Sequence, residues 1–370
     1  MAEEKERVLS IDALRGFDMM FIIGGAALIS ALCTAFGWSG GWLAAQMKHV
    51  QWEGLAHHDT IFPLFLFLAG VSWPFSFDSQ VDRGVPLWRI RLRVLKRAAV
   101  LFLLGFSFGG ILKFNPQFRL MSVLGFIGLS WGAAALLSRS VKRISCRLAV
   151  AAALLVGYWA LLSFCSAPHA PESADTYSLQ WNIISHLDRT VYPNHLLPKN
   201  VYEPESLFSV PNGMALALLG MSAGSLLKAR SLAKPRKAAL LALSAAVLLA
   251  LGFFFTCVLG DQIVKKLWTT SFVLFSASYS FAMLALFYWI VDVKGFRAWT
   301  FPFREIGMNS ITIYLFMMFG VQGLFRHFLF SGLAGWVGDP WGKVVIAAGG
   351  LFIGWLFVHF LYRRKIFLRV

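Results

Sequence analysis

About ten apolar runs, each about 18–24 residues long and nearly free of charge, constrain the fold of this chain more than any other feature. A helix of that length crosses a hydrocarbon core of about 30 Å. In lipid every backbone N–H and C=O must find a partner inside the segment, so the runs are expected to be helices. They are read at 17–36, 61–78, 95–113, 120–138, 148–165, 210–228, 238–259, 269–291, 306–330 and 343–362. A large soluble helical protein would show shorter runs, interrupted by charge on one face. Here 58% of residues are hydrophobic and 14% charged, against roughly 25% charged in soluble domains. The expectation is an all-α, polytopic membrane protein of about ten transmembrane helices. The first run follows Asp12 and Arg15 and lacks a small-residue cleavage site, so it reads as a retained helix.

Charge gives the orientation. Numbering the gaps alternately from the inside places 25 of the 34 Lys and Arg residues on one side and 9 on the other. The rich set includes Lys5, Arg7 and Arg15, six basic residues in 79–97, and Arg363, Arg364, Lys365 and Arg369. Basic residues favour cytoplasmic loops, which predicts both termini inside (N-in/C-in). The net charge of +16 is then explained by basic loops facing anionic membrane lipid, and no nucleic-acid partner is needed.

Cys33, Cys146, Cys165 and Cys257 are scattered without a CxxC spacing, so single buried thiols are expected rather than a metal or redox site. No separate soluble domain is read, and 1–370 is treated as one transmembrane domain. The longest hydrophilic stretch, 166–209, carries three His, Asp188, Arg189, Glu203, Glu205 and five Pro, and is expected to be an ordered outer cap. The stretch 37–60 is rich in Gly and Trp, and its Trp42, Leu43, Met47, Val50, Trp52 and Leu55 suggest a helix lying at the interface.

An ionisable group at membrane depth is costly and marks a candidate site. Asp12 and Arg15 sit three apart and can pair at a helix start, whereas Asp18 enters the first apolar run and needs a partner inside the bundle. His49 and Glu53 are four apart and can share a helical face, with Asp59 at the start of the second run. An imidazole near a carboxylate suits a general base or an acyl acceptor; the competing reading is a solvated interfacial histidine. A zinc site from His49, His57 and His58 is disfavoured, because adjacent His57 and His58 cannot both face one ion from a regular helix. Thr269, Thr270 and Ser271 read first as helix N-caps. Asn309, inside the ninth run, must find a partner in another helix or a ligand. From residues alone, a membrane enzyme and a transporter both remain open.

Several strings carry a resemblance. They are Ser10-Ile11-Asp12-Ala13-Leu14-Arg15-Gly16-Phe17-Asp18, His49-Val50-Gln51-Trp52-Glu53-Gly54, Asp59-Thr60-Ile61-Phe62-Pro63, Leu187-Asp188-Arg189, Tyr202-Glu203-Pro204-Glu205, Leu267-Trp268-Thr269-Thr270-Ser271 and Gly307-Met308-Asn309-Ser310. In this order they resemble the heparan-α-glucosaminide N-acetyltransferase family and its bacterial relatives. Two stretches depart from the family's usual pattern. Gly125-Phe126 stands where members often have Gln-Arg, and Tyr202–Ser206 reads Tyr-Glu-Pro-Glu-Ser rather than Tyr-Asp-Pro-Glu-Gly.

The resemblance implies a transmembrane acetyltransferase of a bacterial inner membrane, moving an acetyl group from cytosolic acetyl-CoA to an amino sugar or glycan acceptor outside. Heparan-derived glucosamine is one candidate acceptor. His49 matches the family's catalytic histidine, with Asp59 beside it; Asp18, Glu53, Asp188, Arg189 and Asn309 become candidate substrate contacts. For this reaction Arg97 and Arg93, in the basic 83–97 segment, suit the phosphates of the nucleotide. Acetyl-CoA is expected as co-substrate and no metal, and the reading admits a homodimer. The alternative is a sugar or lipid-linked precursor transporter or flippase, although such folds often show internal repeats, which this sequence lacks.

Overall fold

The computed structural model describes residues 8–109, 118–171, 173–193, 195–197 and 202–368. Residues 110–113 of the third expected run, parts of the cap, and Lys5, Arg7, Lys113, Lys199 and Arg369 of the charge count lie outside the described residues.

The helices are, in order, α1 (Leu9–Met20), α2 (Ala26–Ala35), α3 (Trp42–Gln46), α4 (His57–Asp82), α5 (Leu87–Phe108), α6 (Val123–Leu137), α7 (Ile144–Phe164) and α8 (Ile183–Val191). They continue with α9 (Val210–Lys228), α10 (Lys234–Cys257), α11 (Thr270–Tyr288), α12 (Phe301–Met308), α13 (Ser310–Met318), α14 (Val321–Val337) and α15 (Trp341–Arg363). Among the described residues the only β pairing is two isolated antiparallel bridges, Glu53 with Val264 and Ser166 with Asn182. The chain is a polytopic all-α membrane protein.

Every expected run contains helix, but the count of ten is not reproduced by length and apolarity. Among the described residues seven helices are long and apolar enough to cross a membrane, and an eighth if α13 and α14, bent by 70°, make one broken span. Helix α5 fails because Arg89, Arg91, Arg93, Lys96 and Arg97 crowd its first half, and α6 because it has 15 residues.

Helices α4 and α9 form the centre, with α1, α6, α7 and α11 around them. Leu66, Phe67, Leu216, Met221, Phe272 and Val273 are buried there. Helices α1 and α12 meet at backbone distance: a Cβ on Gly16 would lie 1.6 Å from the Phe303 carbonyl oxygen, and one on Gly307 2.1 Å from that of Asp12. A larger residue at either place would push the helices apart. Between α1 and α2 the chain makes a π turn over Phe21–Gly25, with Gly24 at φ 143°. The Gln322 amide donates to the carbonyls of Ile23 (2.6 Å) and Gly350 (2.7 Å), satisfying an oxygen beside that kink. All four cysteines are free and only Cys33 is buried. The other three are exposed on the bundle, where a weakly polar thiol needs no burial in protein.

The expected interfacial helix over 37–60 is reduced to the five residues of α3. Residues 47–56 are turns, bends and extended chain, because Gly54 N–H donates to the Ile263 carbonyl (2.8 Å) and Glu53 bridges Val264. The turn before α11 is thereby tied to the turn before α4. The described part of the cap holds α8. Asn182 caps it, its side-chain oxygen accepting from Ser185 N–H.

Candidate functional site

The capping of α4 builds the first half of the site. Asp59 lies in the first turn of α4, and its Oδ2 accepts from the N–H groups of Ala56 and Val50, both at 3.2 Å. A carboxylate there is favoured by the helix dipole. Its Oδ1 faces His49 Nδ1 at 2.7 Å and Lys265 Nζ at 3.1 Å. Asp59 is 1% exposed, while the His49 side chain is 55% exposed. Asp59 is a pure acceptor, so a neutral His49 carries its proton on Nδ1, which leaves Nε2 as its basic nitrogen. The ring of His58 lies 4.4 Å from that of His49.

Lys265 also comes within 3.0 Å of His49 Nδ1. It projects from a single turn, Lys265–Leu267, held from every side. Trp268 follows in a left-handed conformation (φ 52°), buried against Phe62 and Phe126. Tyr158 donates to the Leu267 carbonyl (2.7 Å), Asn212 to that of Trp268 (2.7 Å), and Lys266 to that of Gln51. Thr269 accepts from Phe272 N–H and caps α11, as its position in the sequence suggests. Burial pushes the Lys265 ammonium below its usual range, with Asp59 opposing that shift.

Glu53 does not share a face with His49. Its chain is extended and its side chain is exposed, and the carboxylate beside His49 is Asp59. Asp18 is buried in α1 with Oδ2 unpartnered among the described residues. Asp188 is buried inside the cap, accepting from Tyr192 and from Ser206 (2.7 Å), and burial raises its carboxyl to about 6. Arg189 donates to the Gln180 carbonyl at 2.8 Å. Nearby, Arg119 forks onto Glu203 and reaches Glu205; burial pushes the Glu203 carboxyl up, and Arg119 opposes that shift.

The opposite end of the bundle holds a cavity of about 1000 Å³. Its walls include Arg15, Arg97, Lys228, Arg230, Lys234 and Lys237, with Asp12 and Asp292. Arg97 stacks 4.5 Å over the Trp131 ring, and its Nε is buried without a partner among the described residues. Arg93 does not line the cavity; it is exposed and donates to Gln80 at 2.8 Å, one helical turn farther out. The cations from the α9–α10 turn take the place expected of the earlier part of the 83–97 segment. Asn309 sits at the break between α12 and α13, buried, with both amide atoms unpartnered among the described residues. Its neighbours Met308 and Ser310 line the cavity.

One face of α4 joins the two ends. Phe65, Ala69 and Ser72 line the cavity, and the same face continues outward to His58 at the i−7 position from Phe65. From His58 to Phe65 is about 10 Å along the axis. On α1, Ile11 and Arg15 line the cavity, and Asp18 continues that stripe by one turn. Phosphate groups fit the cationic walls and the orphaned Arg97 nitrogen. Among the described residues no group of three or more His, Cys, Asp or Glu is placed to hold a metal ion.

No protein-family model matches the chain. It is 26% identical over 369 residues to the heparan-alpha-glucosaminide N-acetyltransferase of Homo sapiens, covering 84% of this chain and 52% of that protein. It is 25% identical over 406 residues to the protein of the same name from Mus musculus, covering 94% of this chain and 59% of that one. The chain thus spans little more than half the length of these relatives. With strings, helices and site in one frame, the chain is a relative of the heparan-alpha-glucosaminide N-acetyltransferase family.

Proposed function

We propose that this chain is a transmembrane acetyltransferase, carrying an acetyl group from acetyl-CoA on the cytoplasmic side to an amino sugar on the other. The observation that carries the reading is the pairing of a bare imidazole nitrogen at one end of α4 with a cationic cavity at the other. The relatives' names support acetyl transfer, and the basic-residue asymmetry supports a cytoplasmic cavity and cytoplasmic termini. A bacterial inner membrane suits that arrangement.

Arg97, Lys228, Arg230, Lys234 and Lys237 would hold the polyanionic nucleotide, and Asn309 would offer its free amide to the slender arm. His49 Nε2 takes a proton from the acceptor amine as the amine nitrogen bonds the acetyl carbon. It returns that proton to sulfur as the carbon–sulfur bond breaks, so free thiol and amide are the products. Asp59 orients the ring and stabilises the imidazolium formed on the way.

The test is product chemistry over a panel of amino sugars, with purified protein in detergent. Thiol release should require both acetyl-CoA and an amino sugar and disappear in His49→Ala. Movement of sugar across vesicles with no thiol released would replace this reading with a transporter.

A further inference from the structure

Lys265 lies 206 residues from Asp59 in the chain, yet its ammonium touches both members of the His49–Asp59 pair. We propose that Lys265 is a positioning residue: it fills the last acceptor position of Asp59, whose bond to Nδ1–H sets the His49 tautomer, and it makes the His49 imidazolium a ready proton donor. This rests on the acetyl-transfer reading of the site.

Asp59 Oδ2 is engaged by two backbone N–H groups, which leaves Oδ1 with two lone pairs. His49 Nδ1–H takes one and Lys265 the other. An ammonium has no lone pair, so it cannot accept from Nδ1–H. The 3.0 Å approach of Lys265 to Nδ1 is therefore not an attraction in this protonation state. Once Nε2 gains a proton, the ring is a cation with a second cation against it. Asp59 attracts that imidazolium and Lys265 repels it. With Asp59 alone the ring would hold its proton against the leaving sulfur. With Lys265 present it can take a proton from an amine and give it up within one turnover.

The other charged groups around His49 do not duplicate this role. From α4 come Asp59 and His58, and from the turn before α11 come Lys265 and Lys266. Lys266 is directed at the Gln51 carbonyl and lies over the rings of Trp52 and Tyr202. Glu205, from the segment before α9, acts on Lys265 electrostatically while paired with Arg119. On the segment of His49 itself, Lys48 and Glu53 are exposed to solvent. Lys265 is placed rigidly enough for the role, because its turn is bonded to α7, α9 and the strand-like 50–54 segment.

The experiment reads the protonation of His49 apart from catalysis. Full-length protein in detergent is treated with diethyl pyrocarbonate, which attacks the neutral imidazole, over about pH 5 to pH 9. Modification of His49 is followed by peptide mass spectrometry. Wild type and Lys265→Arg should share one midpoint to within about 0.3 units. Lys265→Met should raise it by about one unit, as removal of a unit charge roughly 4 Å away in a half-exposed site requires. Lys265→Gln serves as a second neutral variant, and thermal unfolding reports that each variant is folded. The acid limb of acetyl transfer should move with the labelling midpoint, with the donor KM unchanged. A folded neutral variant whose midpoint stays put or falls overturns the proposal. A midpoint that rises as stated, in a protein that acetylates no amino sugar, upholds the role of Lys265 charge and overturns the acetyl-transfer reading alone.

Discussion

Replacing Asp59 by Asn keeps the shape of the side chain and removes its charge. Asp59 receives four donors: two backbone N–H groups on Oδ2, and His49 and Lys265 on Oδ1. A carboxamide has one oxygen. Turned toward Val50 and Ala56, that oxygen keeps the cap of α4 and presents its NH₂ to His49 Nδ1 and Lys265. The NH₂ then donates to Nδ1, the ring proton moves to Nε2, and that nitrogen is no longer a base. Loss of the correct tautomer is worth about 10²–10⁴ in rate, which at about 1.36 kcal/mol per decade is roughly 3–5 kcal/mol of barrier. Lys265 loses its acceptor as well, at about 1–3 kcal/mol of stability. The assay is thiol release from acetyl-CoA with a saturating amino sugar, alongside thermal unfolding and donor binding. A folded Asp59→Asn protein within about threefold of wild-type turnover would refute this account of the site.

Arg97→Ala removes a buried cation from the cavity wall and should weaken acetyl-CoA binding by about 10–100-fold, the worth of one charge-assisted contact, without altering the acceptor KM; titration calorimetry would read this. A reporter cysteine at Ser173 in a cysteine-free background should react with an impermeant maleimide in intact cells, whereas reaction only after permeabilisation would reverse the proposed orientation. Asp188 gives a pH dependence. Its carboxyl is raised to about 6 in the folded cap, against about 3.9 when unfolded, so the native state binds more protons between these values. Stability of the cap therefore falls as pH rises from about 4 to 6, by about 3 kcal/mol at about 1.36 kcal/mol per unit, and stays lower above that. Amide exchange over 183–193, corrected for its intrinsic pH dependence, should be faster at pH 7.5 than at pH 5, and the difference should shrink in Asp188→Asn. An undiminished difference in that variant would exclude Asp188 as the cause.

The helices and their apolar runs were legible because burial in lipid leaves a long uninterrupted signature. The expected spans that fall short each have a local reason: α5 carries a run of basic residues that ends with Arg97 at the cavity, α6 has 15 residues, and the ninth run is bent by 70° between α13 and α14. The separate α12–α13 break places Asn309 beside that cavity. The His49–Asp59 pair was within reach because ten residues separate the two and the motif is local. Glu53 was misplaced because helical spacing was read across residues that Gly54 and the bridge to Val264 hold extended. Lys265 left no local signal at all, since only the fold brings its turn to α4. Arg93 and Arg97 are four residues apart and equivalent by periodicity; depth along α5 separates them, with Gln80 taking the first and the cavity the second. The cations of the α9–α10 turn read as ordinary loop charges until tertiary packing set them around one space.

The most direct test of the account is sided. Protein reconstituted with its cavity end facing the medium would receive acetyl-CoA outside and trapped glucosamine inside. Wild type should accumulate acetylated sugar in the lumen and free thiol in the medium in equal amounts, and His49→Ala should give neither while still binding acetyl-CoA. Acetylated sugar formed only when both substrates are on the cavity side, or equally well in His49→Ala, would contradict it.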